Sequence, residues 1–229
     1  MSADTQPVAL IVGAGDGLSA SLARLLVGEN FRLDLAARNI DKLAALKEET
    51  GARLHRCDAA DPAAVASLFE AVGERIDVVV YNPSYRVQGP IVDIAPAEVR
   101  KTLDITAFGG FLVGQQAARR MLAAGRGTIL FTGASASVKG YANSAPFAMG
   151  KFALRGLAQS MARELHPQGI HIAHIVIDGG IRSSRRPDAG GRDAMLDPDA
   201  IAATCLDLIR QPRSNWSWEI EVRPWLETF

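Results

Sequence analysis

Apolar residues in this chain gather in short continuous runs, separated by longer stretches in which they recur every third or fourth position. The runs are VALIVGAG (8–15), FRLDLAAR (31–38), ARLHRC (52–57), IDVVVYN (76–82), GTILFTG (127–133), IHIAHIVI (170–177) and WEIEVRP (218–224). Most are near-continuous Val, Ile and Leu, the pattern of parallel strands buried on both faces. Between them, GLSASLARLLVGEN and IDKLAALKEETG carry the spacing of amphipathic helices. Asp61-Pro62 and Asp197-Pro198 each set a capping oxygen before a proline suited to the first helical position. Seven strand–helix alternations predict an α/β fold: a doubly wound, seven-stranded parallel sheet with helices on both faces, in one domain spanning 1–229. One stretch breaks the rhythm, DGGIRSSRRPDAGGRDAMLD (178–197), and reads as a lid-like loop.

Composition narrows the classes. A chain of 229 residues, 48% of them hydrophobic, can bury a substantial core. Its 25 basic and 25 acidic residues cancel, which argues against a nucleic-acid partner. Cys57 and Cys205 lie far apart and outside any CxxC pattern, so neither a disulfide framework nor a zinc site is expected. His171 and His174 fall on opposite sides of a strand and make no metal pair. The N-terminus lacks a basic segment before a long apolar run, and no run approaches a membrane span, so a cytoplasmic protein is expected.

After the first strand comes Gly13-Ala14-Gly15-Asp16-Gly17-Leu18-Ser19. Glycines there permit a tight turn and let a pyrophosphate approach backbone N–H groups at a helix N-terminus, the mark of a Rossmann-type dinucleotide site. Ser19 stands where a third glycine is usual, which predicts slightly looser helix packing. Asp58, ending the third strand, is placed to accept from an adenine amino group, with a plain turn residue as the alternative. The second strand ends Ala36-Ala37-Arg38, with a guanidinium where a carboxylate would hold the ribose of NAD. That favours NADP(H) over NAD(H). Asp16 counts against it, since a carboxylate repels phosphate. Asp34, mid-strand, has no evident role from its position.

With these residues the chain resembles the short-chain dehydrogenase/reductase family over nearly its whole length. Val12-Gly13, Gly17 and Ser19 stand for that family's TGxxxGxG turn, and Tyr81-Asn82-Pro83-Ser84 for its NNAG element. Asp178-Gly179, followed by Ile181, stands for its PG element, with the Ile181 backbone expected to face the nicotinamide amide. The resemblance implies a tyrosine that protonates a carbonyl oxygen, a serine that hydrogen-bonds it, a lysine that lowers the tyrosine pKa and holds the ribose, and an asparagine that organises a water relay. Only the lysine is kept, as Lys151; Phe147, Ala134 and Thr106 occupy the other three positions.

Phenylalanine keeps the packing of tyrosine but cannot move a proton. Replacement donors are Ser135, next to the serine position, Tyr85 in the loop after the fourth strand, and Tyr141 or Ser144 before Phe147; each also reads as an ordinary loop residue. Arg182, Arg185 and Arg186 read as a solvated loop, or as a grip on an acidic substrate. Two functions stay open: an oxidoreductase on a small carbonyl or alcohol with a non-standard site, and a catalytically silent NADP(H)-binding sensor or partner subunit. The helices at 97–123 and 146–166 carry apolar stripes that the resemblance implies pair across a two-fold axis, and Trp225, Leu226 and Phe229 add an apolar cluster in the tail, so a homodimer or homotetramer is expected.

Overall fold

A computed structural model describes residues 6–183, 186 and 193–226. Each apolar run contains a strand: β1 (Val8–Val12), β2 (Arg32–Ala37), β3 (Arg53–Arg56), β4 (Val78–Tyr81), β5 (Gly127–Thr132), β6 (Ile170–Ile177) and β7 (Glu219–Val222). The seven pair in parallel in the order β3-β2-β1-β4-β5-β6-β7. β1, β4 and β6 are buried at every position. The outer strands β3 and β7 are partly exposed, because each lacks a neighbour on one side.

Alternate residues along the central strands feed two apolar layers. On one face α1 (Leu18–Gly28), α2 (Ala44–Thr50) and α7 (Pro198–Arg210) close over Ile11, Leu35 and Ile175. On the other, α3 (Pro62–Val72), α5 (Gly109–Ala124) and α6 (Ala145–Leu165) close over Leu10, Val79 and Phe131. Helices therefore cover both faces, as a doubly wound sheet requires. Asp61 and Asp197 cap α3 and α7 as the aspartate–proline pairs predict, accepting from Ala63 N and Asp199 N at 2.9 Å each. α4 (Pro96–Leu103) runs into α5 through a single π turn, Asp104–Phe108, which the apolar stripe does not reveal.

The charge at Asp34 has a structural cause. Its side chain is fully buried in β2 and takes Arg53 at 2.8 and 3.0 Å and His55 at 2.6 Å, both from β3. Burial pushes the carboxyl upward, but the bonds from His55 and Arg53 outweigh it and hold the group below the usual carboxylate range. The residue pins the edge strand to the sheet.

Cys57 and Cys205 are free and buried, and burial pushes their thiols up to about 11 and about 12, so both are inert. Among the described residues no cluster suits a metal ion, and no helix is long and apolar enough to cross a membrane. Of the 178–197 loop, residues 184, 185 and 187–192 lie outside the described residues. Its two feet are tied together by a bridge between Ile181 and Leu196.

Candidate functional site

The strand order puts the switch point between β1 and β4, and the carboxyl ends of that pair open into a groove of about 320 Å³. Gly13 turns there with φ +82, donating its N–H to the Ala36 carbonyl at 2.9 Å. A Cβ on Gly13 would lie 2.7 Å from the Pro83 nitrogen, so only glycine fits. Gly15 follows half-buried, Asp16 is exposed, and α1 begins at buried Leu18 with Gly17 as its cap and no side-chain capping bond. The helix N-terminus thus keeps its first N–H groups available for an anion.

Ser19 does not loosen this turn. It is buried, donates to the Gly13 carbonyl at 3.3 Å and accepts from Asn82 Nδ2 at 2.9 Å. The hydroxyl therefore ties the turn to the end of β4, a bond that a third glycine has no atom to make. Asn82 in turn accepts from the Thr132 hydroxyl at 2.8 Å, and the Thr132 carbonyl accepts from Lys151 Nζ at 2.7 Å. One hydrogen-bond chain thus runs from the glycine turn to the lysine.

The far end of the groove is lined by Arg38, Asn39 and Lys42 after β2 and by Asp58 and Ala59 after β3. Arg38 is exposed and directly follows the last residue of β2. Asp58 Oδ1 accepts from its own turn at Ala60 N, 3.1 Å, leaving the second oxygen at the groove.

A second cleft, of about 480 Å³, shares Asn82 and Ser84 with the first. Phe147 and Lys151 face it from α6, together with Ala134, Ser135, Tyr141, Ser144, Gly179 and Ile181. Lys151 is 3% exposed, and burial pushes its amine down to about 8. Its Nζ stands 5.9 Å from the centre of the Phe147 ring. No hydroxyl intervenes.

The remaining candidates divide. Ser135 lines the cleft. Tyr141 and Ser144 line it beside Phe147. Tyr85 does not: its hydroxyl donates to Glu98 at 2.8 Å and Lys101 Nζ lies 4.2 Å over its ring, which corrects its placement over the cleft. Thr106 is buried in the π turn, where its hydroxyl accepts from Tyr85 N at 3.4 Å and its Cβ packs close under Gly150. Arg182 is held by Asp197 at 2.6 Å, Arg186 lines the cleft, and Arg185 lies outside the described residues.

Two features escaped the sequence reading. Arg86 reaches the cleft with its guanidinium 5.4 Å over the Phe147 ring, and nothing in its neighbourhood along the chain marks it. Beneath the floor, Ala134 N donates to Ser137 Oγ at 3.1 Å, and Ser137 lies 3.3 Å from His174 Nε2. His174 Nδ1 stands 3.0 Å from Glu219, which Arg155 clamps at 2.6 and 2.7 Å. Glu219 only accepts, so the histidine proton sits on Nδ1 and Nε2 accepts from Ser137. Gly133 must be glycine above this ring, since a Cβ would come 2.4 Å from His174 Nε2. The parallel register of β6 and β7 sets His174 opposite Glu219, a pairing invisible without the sheet order.

A switch-point groove with a glycine turn, joined to a cleft carrying a helix-borne lysine, defines a dinucleotide-binding α/β protein. The short chain dehydrogenase family model matches residues 7–187, and the chain belongs to that family of NAD(P)-binding oxidoreductases. A cyclic-di-GMP-binding biofilm dispersal mediator protein of Escherichia coli K12 is 32% identical over 86% of this chain and 82% of its own. A short-chain dehydrogenase from Rhodopseudomonas palustris is 35% identical, with a TM-score of 0.83 over 96% of this chain and 99% of that one. A metagenomic short-chain oxidoreductase solved in complex with NADP is 28% identical, with a TM-score of 0.84 over 96% and 98%.

Proposed function

We propose that this chain is an NADP(H)-binding member of the family, acting on a small carbonyl or alcohol through a non-standard site. The carrying observation is the groove that Arg38 and Lys42 line, with a guanidinium rather than a carboxylate directly after the end of β2, where the ribose end of the cofactor would lie. The glycine turn and the start of α1 suit the pyrophosphate, and Asp58 suits the adenine amino group. Lys151, Asn82, Gly179 and Ile181 surround the nicotinamide end. The NADP complex of the metagenomic relative supports the same choice of cofactor.

When bound, NADPH supplies a hydride; the chain must supply the proton. Residue 147 has none to give, and Thr106 and Ala134 restore neither of the other two family groups. Among the described residues lining this cleft, Tyr141, Ser144, Ser135 and the Lys151 ammonium are the groups that could give a proton. Phe147 therefore favours a second reading, a silent NADP(H)-dependent sensor or partner subunit, and the E. coli relative named for binding a nucleotide rather than for turnover supports it. Fluorescence titration with NADPH and NADH, followed by a carbonyl and alcohol turnover screen, tests both. Tight NADPH binding with background turnover selects the silent binder. Turnover selects the oxidoreductase, and absence of any cofactor binding rejects both.

A further inference from the structure

Charge in the second cleft has one sign. Among its described lining residues stand three cations, Arg86, Lys151 and Arg186, and no aspartate or glutamate. The carboxylates around the rim are engaged elsewhere. Asp178 pairs with Lys139 and Arg223 at 3.2 Å each, Glu98 accepts from Tyr85, and Asp197 holds Arg182. Arg86 and Arg186 are both exposed and form no ion pair with a described residue. A guanidinium over an aromatic ring keeps its in-plane N–H donors for a planar or tetrahedral oxyanion. Ser144 and Tyr141 add hydroxyls to the lining, and the Phe147 ring adds an apolar surface.

We propose that this end of the cleft binds the carboxylate or phosphate of a small organic anion, with Arg86 and Arg186 as the recognising groups. The inference rests on reading the cleft as the substrate side of the dinucleotide site. Cofactor phosphates do not account for these arginines in the adenine-end groove, because neither of them lines it. Like charges lining one concave site repel one another and raise the local concentration of anions, so a neutral ligand would leave that repulsion unrelieved. The Phe147 ring seats Arg86 by contact at 5.4 Å.

Calorimetric titration with phenylacetate, its uncharged methyl ester and phenyl phosphate tests this, with and without saturating NADPH. Both anions, or one of them, should bind at least about tenfold more tightly than the ester, as charge-assisted hydrogen bonds give. Whichever anion binds more tightly identifies the carboxylate or the phosphate as the source. Arg86→Gln and Arg186→Gln should each weaken the preference several-fold, and the double variant should abolish it, with NADPH affinity unchanged. Equal binding of acids and ester, or a preference that survives in the double variant, overturns the proposal. So does a tenfold loss of NADPH affinity in either single variant, which would assign that arginine to the cofactor. A wild type that prefers the anions yet fails to bind NADPH supports the anion site and rejects the cofactor reading instead.

Discussion

Lys151 Nζ is anchored on the Thr132 carbonyl at 2.7 Å and faces the Phe147 ring at 5.9 Å, so an amine placed to tune a phenol has no phenol to tune. Phe147→Tyr adds a hydroxyl at the ring edge, and Ala134→Ser adds a second hydrogen bond in the same cleft. We expect the wild type to reduce ketones and diketones at or near background. The double variant should oxidise NADPH measurably with a reactive diketone, by about 10²-fold or more over either single variant, because such groups act as a unit. Robust turnover by the wild type refutes this, and Tyr141, Ser144 and Ser135 then become the residues to replace.

Arg38 is expected to read the 2′-phosphate. Arg38→Ala should weaken NADPH binding more than about tenfold and leave NADH nearly untouched, as loss of a charge-assisted pair to phosphate requires. Parallel fluorescence titrations measure it, and equal losses for the two cofactors would remove Arg38 from that role.

Asp34→Asn should cost about 3 kcal/mol in urea unfolding at neutral pH, since it leaves Arg53 and His55 around a buried neutral amide. The folded carboxyl titrates below its unfolded value, so its contribution is complete above the unfolded pKa and is lost as pH falls through the folded one. The variant's stability should therefore vary less with pH on the acid side. An unchanged unfolding midpoint would show that the pair with β3 contributes nothing net.

His174 predicts a different window. Burial is the main cause that pushes it down to about 4, against an ordinary value of 6.5, so the unfolded chain binds the proton more readily between those values. Stability is then complete above the unfolded value and is lost as pH falls towards the folded one. Guanidinium unfolding at pH 7 and pH 5 should differ by about 2 kcal/mol more in the wild type than in His174→Gln. Identical pH dependence in the two proteins would refute a neutral buried imidazole.

Phe108 and Phe111 stack with ring centres 6.4 Å apart, and both are 43% exposed at the start of α5; Met149 and Phe152 are similarly exposed on α6. Trp225 and Leu226 are also exposed, while Phe229 lies outside the described residues. Two such helix faces in one protomer are expected to pair across a two-fold axis, giving a homodimer or homotetramer. Phe152→Glu should shift sedimentation velocity profiles toward monomer. A wild type that already sediments as a clean monomer at micromolar concentration rejects the pairing.

Local pattern carried the architecture well. Seven apolar runs became seven strands because the burial of a parallel sheet's centre is written in consecutive Val, Ile and Leu, and Gly13, Asn82 and Lys151 were findable from their places relative to those strands. What stayed hidden depends on pairing between distant segments. Asp34 looks anomalous until β3 sets Arg53 against it, and Ser19 looks like a poorer glycine until Asn82 reaches it from β4. Tyr85 reads as a cleft residue from its loop, and only the approach of Glu98 takes its hydroxyl elsewhere. Arg86 joins the cleft through a contact with Phe147 that spacing does not encode.

Glu219 lies in the final strand yet braces, through His174 and Ser137, the loop that carries Ala134. Synthesis lays the chain down from its N-terminus, and the glycine turn, β1 and β4 all leave the ribosome long before β7. The floor under Ala134 is therefore braced by the last strand of the sheet to be made, and that bracing is complete only once β7 has docked beside β6.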